Sequence, residues 1–260
     1  MDTPRPWTRR ALVGALLCSP ALLRQGTAAA GAPVRIAAAS DLRFALEAYG
    51  PTLAARGLPI APTFGSSGNF AAQIAQGAPF DLFLSADDRY PAQLVASGHA
   101  DGARQRVYGL GQVVLWVRTQ SPLDLGPGLQ VLADARVRTV AMANPRHAPY
   151  GQAAEAALRA AGLHEAVAGK LVLGDNVSQA AQFVATGAAD AGLIALSLAR
   201  APTFAAAGRF VVVSGHPPLR QTGVVLRAAA DPAAAAAVLD ALCGAEGRAL
   251  LDRFGFLPPA

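Results

Sequence analysis

Short apolar runs and helix-like segments alternate along the first part of the chain, with only short loops between them. Residues 34–39, 60–64 and 80–86 are the apolar runs, and their length is typical of buried strands. Residues 42–49 and 70–77 instead carry apolar side chains at helical spacing. Because parallel strands must be joined by a crossover, this alternation predicts an α/β fold with a mainly parallel sheet flanked by helices.

Two of these strands are followed by serines at the start of a helix. Gly65-Ser66-Ser67-Gly68-Asn69 joins the second strand to its helix, and Ser40-Asp41 follows the first strand. The first N–H groups of a helix have no partner inside it, so such turns offer N–H and O–H donors to an anion. The same residues are also ordinary N-caps, and we expect the Asp41 side chain to cap its helix. The turns alone leave both interpretations open.

A segment rich in Gly and Pro at 121–128 interrupts this pattern, and a second set of strands and helices follows it. The predicted elements are strands at 139–142, 170–173, 191–196 and 210–213, and helices at 152–161 and 178–186. Residues 223–226 predict a strand that returns the chain to the first lobe, ahead of two C-terminal helices. We therefore divide the chain into a leader (1–30), lobe 1 (31–111), lobe 2 (112–222) and a return segment of lobe 1 (223–260).

The leader has the pattern of a secretory signal peptide. Arg9 and Arg10 precede an apolar run at 11–23, and small residues at 27–30 offer a cleavage site near Ala30. The run is short for a membrane span, so we expect cleavage and a periplasmic location. Removing the leader lowers the formal net charge from +5 to +2, because it holds four arginines and one aspartate. The remaining basic residues are scattered, which predicts no nucleic-acid partner.

No motif in the sequence predicts catalysis. Ser67 lies in Gly-Ser-Ser-Gly, which is not the spacing of a nucleophile elbow or of a phosphate-binding Walker loop. The four histidines form no pair at ligand spacing, and Cys243 is the only cysteine after the leader, so we expect neither a metal centre nor a disulfide. We predict a binding protein without a cofactor. The alternative, an exported serine hydrolase that uses Ser67, lacks a paired base.

Several stretches together resemble the periplasmic molybdate-binding proteins of ABC transporters. They lie at 37–40, 64–69, 76–87, 144–151, 175–177, 187–192 and 254–256. They follow in the same order along essentially the whole chain after the leader, and the string Gly-Ala-Pro-Phe-Asp-Leu-Phe-Leu-Ser-Ala-Asp at 77–87 is specific. The resemblance implies a two-lobed type II periplasmic binding protein fold that holds a tetrahedral oxyanion in the cleft between the lobes.

The resemblance also implies which residues hold the anion. Ser40 and Ser67 donate from lobe 1 through their hydroxyls and N–H groups, and the amides of Tyr150 and Val177 donate from lobe 2. Family members bind the ligand as an oxyanion rather than as a bare metal cation, without a lysine or arginine against it. A carboxylate beside an oxyanion is repulsive, so we expect Asp41 to offer at most its backbone N–H.

One position departs from the family pattern. Many members carry a tyrosine where this chain has Ala195, and its hydroxyl donates to the anion. This chain has Tyr150 where those members have a small residue, which resembles a subgroup in which a tyrosine of that loop donates instead. We therefore predict that the Tyr150 hydroxyl is an additional donor.

A site lined by donors alone, with no carboxylate acceptor, suits a fully deprotonated dianion and leaves the O–H of protonated phosphate unpaired. Sulfate is a smaller dianion and can be rejected only by size, whereas tungstate nearly equals molybdate in size and is expected to bind as well. A carrier of sulfate or another tetrahedral oxyanion is the alternative. The resemblance further implies an ABC transporter permease as partner, and a monomer is the simplest form of such a carrier.

Overall fold

The computed structural model describes residues 32–259. The predicted signal peptide at 1–30 and its cleavage site lie outside this range. Within it, the chain forms two five-stranded sheets with helices packed on their faces. No helix of the described range is long and apolar enough to cross a bilayer.

The strands and helices of the described range are numbered here in chain order. The strands are β1 (Val34–Ala39), β2 (Ile60–Gly65), β3 (Leu82–Ser85), β4 (Ala100–Gly111), β5 (Val113–Arg118), β6 (Val140–Ala143), β7 (Leu171–Gly174), β8 (Ala191–Ala195), β9 (Gly208–Val212) and β10 (Leu219–Leu226). The helices are α1 (Arg43–Ala55), α2 (Ser67–Ala75), α3 (Arg89–Ala96), α4 (Pro149–Ala160), α5 (His164–Ala168), α6 (Val177–Ala185), α7 (Leu196–Ala199), α8 (Pro202–Ala207), α9 (Pro232–Cys243) and α10 (Ala245–Arg253). Two 3-10 helices cover Ser40–Leu42 and Gly128–Ala133.

The two sheets are built on the same plan. The first has the order β2-β1-β3-β10-β4, in which β1 runs parallel to β2 and β3, while β10 is antiparallel to β3 and β4. The second has the order β7-β6-β8-β5-β9, in which β6 runs parallel to β7 and β8, while β5 is antiparallel to β8 and β9. The predicted two-lobed α/β fold is confirmed, with one reversed strand in each sheet.

The chain passes between the sheets at two places. Gln112 separates β4 of the first sheet from β5 of the second, and residues 213–218 separate β9 from β10. Two short, neighbouring crossings of this kind can absorb the backbone rotation of a hinge.

Several elements begin at places other than those predicted. β10 begins at Leu219, so the expected boundary between residues 222 and 223 falls inside this strand; its first residues, Leu-Arg-Gln-Thr, are too polar to predict a buried strand. β4 was not predicted, because it is an edge strand with one exposed face and a polar sequence. The helix predicted at 152–161 begins at Pro149, which occupies the first helical turn, where proline is tolerated.

Each sheet has its own buried core. In the second sheet Trp116 is fully buried and meets Phe204 edge to face, with the ring centroids 5.7 Å apart. In the first sheet Ile36, Leu82 and Leu84 are fully buried beneath the helices. Burial of such a side chain contributes about 1.5–3 kcal/mol, so each lobe has apolar stabilisation of its own.

Asp81 ties three parts of the first lobe together. Its carboxylate accepts hydrogen bonds from the Arg35 N–H at 2.8 Å, from the Arg35 guanidinium at 2.7 and 2.9 Å, and from the Ala230 N–H at 2.9 Å. The Arg35 side chain, as the largest cause, lowers the pKa of Asp81 to about 2. A lowered pKa means that the folded state favours the ionised form, so this stabilisation is present at neutral pH and disappears as the pH falls toward 2.

We expect Asp81→Asn to lower the free energy of unfolding at pH 7 by about 1–3 kcal/mol, because the buried Asp81 carboxylate loses its charge-assisted hydrogen bonds. The difference from the wild type should shrink as the pH falls from 4 to 2. Urea unfolding across this range measures both. Asp134→Asn is the matched control, since the Arg136 side chain likewise lowers the pKa of Asp134 to about 2, but this pair lies at the surface. Equal losses in the two variants would contradict the prediction.

Candidate functional site

A small cavity lies where the two lobes meet. Its volume is ≈ 10 Å³, whereas pockets for organic ligands measure about 300–1,000 Å³. The residues that line it are Ala39, Ser40, Asp41, Gly65, Ser66, Ser67, Ala86, Ala148, Pro149, Tyr150, Asn176 and Val177. All five residues predicted from the sequence therefore line one cavity, which is far too small for an organic ligand.

The sheet registers explain why these residues meet. In the first sheet Ala39 pairs with Gly65, so the parallel strands β1 and β2 end side by side and release Ser40 and Ser66 at neighbouring positions. In the second sheet residues 143 and 174 pair in the same way at the ends of β6 and β7. Helices α4 and α6 begin just beyond those ends. The carboxyl ends of two parallel pairs thus face each other across the cavity, which is where α/β sheets bind ligands.

Both predicted serine hydroxyls are oriented by a backbone N–H. Ser40 and Ser67 are buried, with 2% and 0% of their surface exposed. The Ser67 Oγ accepts from the Ala86 N–H at 3.0 Å, and the Ser40 Oγ accepts from the Ser178 N–H at 3.3 Å. Because each oxygen already accepts, each hydroxyl hydrogen is left to donate to a solute.

The first turn of α2 leaves one N–H group unused. The first bond within the helix runs from the Phe70 N–H to the Ser66 carbonyl at 3.1 Å. The Asn69 N–H donates to the Ser66 Oγ at 3.4 Å, and the Gly68 N–H donates to the carbonyl of His147 at 2.9 Å. Since the N–H groups of Gly68, Asn69 and Phe70 all have partners, the Ser67 N–H is the free donor of this turn.

Helix α6 follows the same rule. Its first internal bond runs from the Ala180 N–H to the Asn176 carbonyl at 3.2 Å, and the Asn176 side chain accepts from the Gln179 N–H at 3.1 Å. Since the Ser178 N–H is taken by Ser40, the Val177 N–H is left over.

In α4 the first internal bond runs from the Gln152 N–H to the Ala148 carbonyl at 3.0 Å, and no side chain caps the helix. The N–H groups of Tyr150 and Gly151 therefore have no partner within the helix. Three helix starts therefore direct free N–H donors and positive dipole ends at one cavity.

Comparison with known proteins agrees with this geometry. Residues 34–257 match the family model described as bacterial extracellular solute-binding protein. The chain is 37% identical over 202 residues to the molybdate-binding protein ModA of Azotobacter vinelandii, covering 77% of this chain and 79% of that protein. It is 35% identical to ModA of Rhodobacter capsulatus, covering 88% of this chain and 90% of that protein.

A solved structure of the Azotobacter vinelandii periplasmic molybdate-binding protein superposes with a TM-score of 0.82 at 29% identity, over 87% of this chain and all of that one. The chain belongs to the molybdate-binding protein family. This result also confirms the family resemblance that the sequence motifs indicated.

The structure corrects one expectation for this family member. The Asp41 side chain does not cap a helix: the carboxylate is buried, and neither of its oxygens has a hydrogen-bond partner within residues 32–259. Since Asp41 lines the cavity, the site is not lined by donors alone. Its backbone carbonyl accepts from the Ser197 hydroxyl at 2.8 Å, which fixes this turn against the second lobe.

Burial changes the ionisation of Asp41. It raises the pKa of Asp41 to about 7, because an ionised carboxylate loses its hydration there, and the nearby side chains of Tyr150 and Gln221 oppose the rise. A neutral carboxyl group carries an O–H, so Asp41 can then donate a hydrogen bond rather than repel an anion.

The Tyr150 hydroxyl of this molybdate-binding family member lies deep between the lobes. It accepts from the Gln221 side chain at 3.5 Å, and Gln221 in turn contacts the Tyr108 hydroxyl at 3.1 Å. Burial, as the largest cause, and the neighbouring Asp41 raise the pKa of Tyr150, so its hydroxyl keeps its hydrogen. Ala195, at the position of the family tyrosine, is buried and offers no side-chain donor.

The sequence analysis missed three residues of this region. Ser178 orients Ser40, Gln221 contacts Tyr150, and His147 bonds to the start of α2. Gln221 lies in the part of β10 that was not predicted, Ser178 lies at the predicted start of α6 but was not expected to contact Ser40, and His147 lies in a loop that was predicted without its contacts. Within residues 32–259, no group of three or more His, Cys, Asp or Glu side chains could hold a metal ion.

The buried Asp41 predicts a pH-dependent stability. Its pKa is raised on folding, so the folded state favours the protonated form, and the stability contributed by Asp41 is lost as the pH rises from about 4 through 7. We expect Asp41→Asn to match the wild type near pH 4 and to exceed its free energy of unfolding at pH 8 by about 1–3 kcal/mol. Urea unfolding of the ligand-free protein measures this, with the exposed Asp240→Asn as control. A variant less stable than the wild type at pH 8 would contradict the assignment.

Proposed function

We propose that this protein binds molybdate, and tungstate equally, in the cavity between its lobes and delivers the anion to the permease of an ABC importer. The observation that carries this proposal is the convergence of three helix starts, each with a free N–H, on one small cavity between the lobes. The relatives named above are molybdate-binding proteins, which supports the same ligand here.

The proposed donors come from both lobes. Ser40 and Ser67 each donate a hydroxyl, and the N–H groups of Ser67, Tyr150 and Val177 point to the anion from the helix starts. The Tyr150 hydroxyl is a further donor, whose oxygen accepts from Gln221 and for whose hydrogen the neighbouring Asp41 is the competing acceptor. Asp41 adds its backbone N–H. Residues 32–259 place no lysine or arginine in the lining of the cavity.

The energetics of neutral donors fit a transport protein. Each hydrogen bond to a charged group contributes about 1.5–3 kcal/mol. Five to seven such bonds, less the cost of association, support a Kd at or below about 1 μM, which still permits release to a permease.

The hydrolase alternative has little support. Within residues 32–259 the Ser67 hydroxyl has the Ala86 N–H as its hydrogen-bond partner and no side-chain base. His147 instead contacts Ser66 at 2.9 Å, and no carboxylate of the described range bonds to the other ring nitrogen of His147. A sulfate carrier differs from this proposal only in the size of the anion, and is therefore tested by competition.

Export and partners complete the proposal. The leader at 1–30 would direct the chain to the periplasm and be cleaved near Ala30. Residues 32–111 and 219–259 would move as one lobe and 113–212 as the other, about the crossings at Gln112 and residues 213–218, because β10 belongs wholly to the first sheet. Closure on one anion needs one copy of the chain, so we propose a monomer.

Calorimetric titration of the exported protein with molybdate tests the proposal. We expect one-to-one binding with a Kd in the nanomolar to low micromolar range, and sulfate weaker by at least about a hundredfold, equivalent to about 2.7 kcal/mol. Tungstate should compete on equal terms. Equal affinity for sulfate would favour the alternative carrier, and no heat with molybdate would reject the proposal.

Ser67→Ala tests the central donor. The variant loses the hydroxyl and leaves the Ala86 N–H without its acceptor, so we expect the Kd for molybdate to rise about 10- to 100-fold. Ser97→Ala is the control, because Ser97 lies at the exposed end of α3 and bonds only within lobe 1. An unchanged Kd in Ser67→Ala would remove Ser67 from the site.

A further inference from the structure

His147 of the second lobe forms two hydrogen bonds with the first lobe. The backbone carbonyl of His147 accepts from the Gly68 N–H at 2.9 Å. Its ring Nδ1 lies 2.9 Å from the Ser66 Oγ. His147 precedes α4 and the two partners belong to the first turn of α2, so both bonds cross from one lobe to the other.

We propose that His147 is the latch of the closed form: a positioning residue that holds the lobes together around the bound anion and thereby sets its release rate. This inference rests on the proposed function of the same cavity. His147 itself does not line that cavity.

The place of the latch explains its effect. Ser66 and Gly68 flank Ser67, the central donor of lobe 1, and His147 lies three residues before Tyr150, a donor of lobe 2. The latch therefore joins the two turns that carry donors. Its bonds can form only when the lobes meet, so their free energy stabilises the closed state and should slow release without changing the encounter rate.

The hydrogen-bond pattern is compatible with Ser66 as the donor of the side-chain bond. The Ser66 oxygen already accepts from the Asn69 N–H at 3.4 Å. In the tautomer that carries its hydrogen on Nε2, the Nδ1 of His147 accepts from the Ser66 hydroxyl. An amide oxygen in the position of Nδ1 would accept the same bond, which makes Asn the conservative replacement.

Gly68 gives the latch a second, steric test. A Cβ added to Gly68 would lie 2.5 Å from the carbonyl oxygen of His147 and 3.0 Å from the Tyr90 hydroxyl. Both contacts are too close, and the first is to backbone of the other lobe. Alanine favours a helix over glycine, so Gly68→Ala is compatible with α2 itself. The Tyr90 hydroxyl is the end of a first-lobe side chain that can shift by a few tenths of an ångström, whereas the backbone of His147 would obstruct the approach of the second lobe.

The release rate is the quantity that separates a latch from a structural residue. Stopped-flow fluorescence on the exported protein gives the association and dissociation rates for molybdate. We expect His147→Ala to raise the dissociation rate about three- to tenfold, the range for one neutral hydrogen bond, with the association rate unchanged. His147→Asn should restore slow release.

The chain offers a matched control for this pair. The His99 Nδ1 lies 2.9 Å from the Ser97 Oγ, the same chemistry at the same distance, but within lobe 1. His99→Ala should leave both rates unchanged. Gly68→Ala should keep or raise the thermal stability of the ligand-free protein while the Kd for molybdate rises at least tenfold.

The outcomes are distinguishable. A His147→Ala dissociation rate no faster than that of His99→Ala, or wild-type affinity in Gly68→Ala, overturns the latch alone. A wild-type protein that gives no signal with molybdate overturns the proposed function and the latch with it.

Discussion

The structure depends on one constraint, which is that the first N–H groups of a helix have no partner inside that helix. At α2 and α6 nearly every such group is assigned: caps, a facing carbonyl and a facing hydroxyl take all but one in each turn. What remains, the N–H groups of Ser67 and Val177, faces the cavity between the lobes. The proposed site therefore consists of the N–H groups that the hydrogen bonds at the helix starts leave unpaired.

The two sheets turn this local property into a binding site. Each places the ends of two parallel strands side by side, so each lobe presents two helix starts or turns at one edge. Neither lobe has enough donors alone. Ser40 of the first lobe accepts from Ser178 of the second, so even the orientation of a first-lobe hydroxyl depends on the second lobe being in place. In the proposed complex, binding of the anion and closure of the lobes are therefore coupled.

The sequence predicted the parts of the site that are local and missed those that are not. Glycines and serines between an apolar run and a helix are visible along the chain, so Ser40, Ser67 and Val177 could be placed at helix starts. β4 was missed because an edge strand needs no apolar run. His147 and Gln221 act through partners 81 and 71 residues away, and no local pattern encodes such distances. The burial of Asp41 was missed for the same reason.

Exclusion of water from the cavity affects both the Asp41 carboxyl group and the N–H and O–H donors around it. A carboxyl group beside a dianion would oppose binding if it were ionised. Exclusion of water raises its pKa to about 7, so that near neutral pH a large fraction carries a proton. The same exclusion of water strengthens each N–H and O–H bond in the cavity, because the local dielectric constant falls. In the proposed complex, closure therefore tightens the hold on the anion and favours the neutral form of the one acidic group beside it.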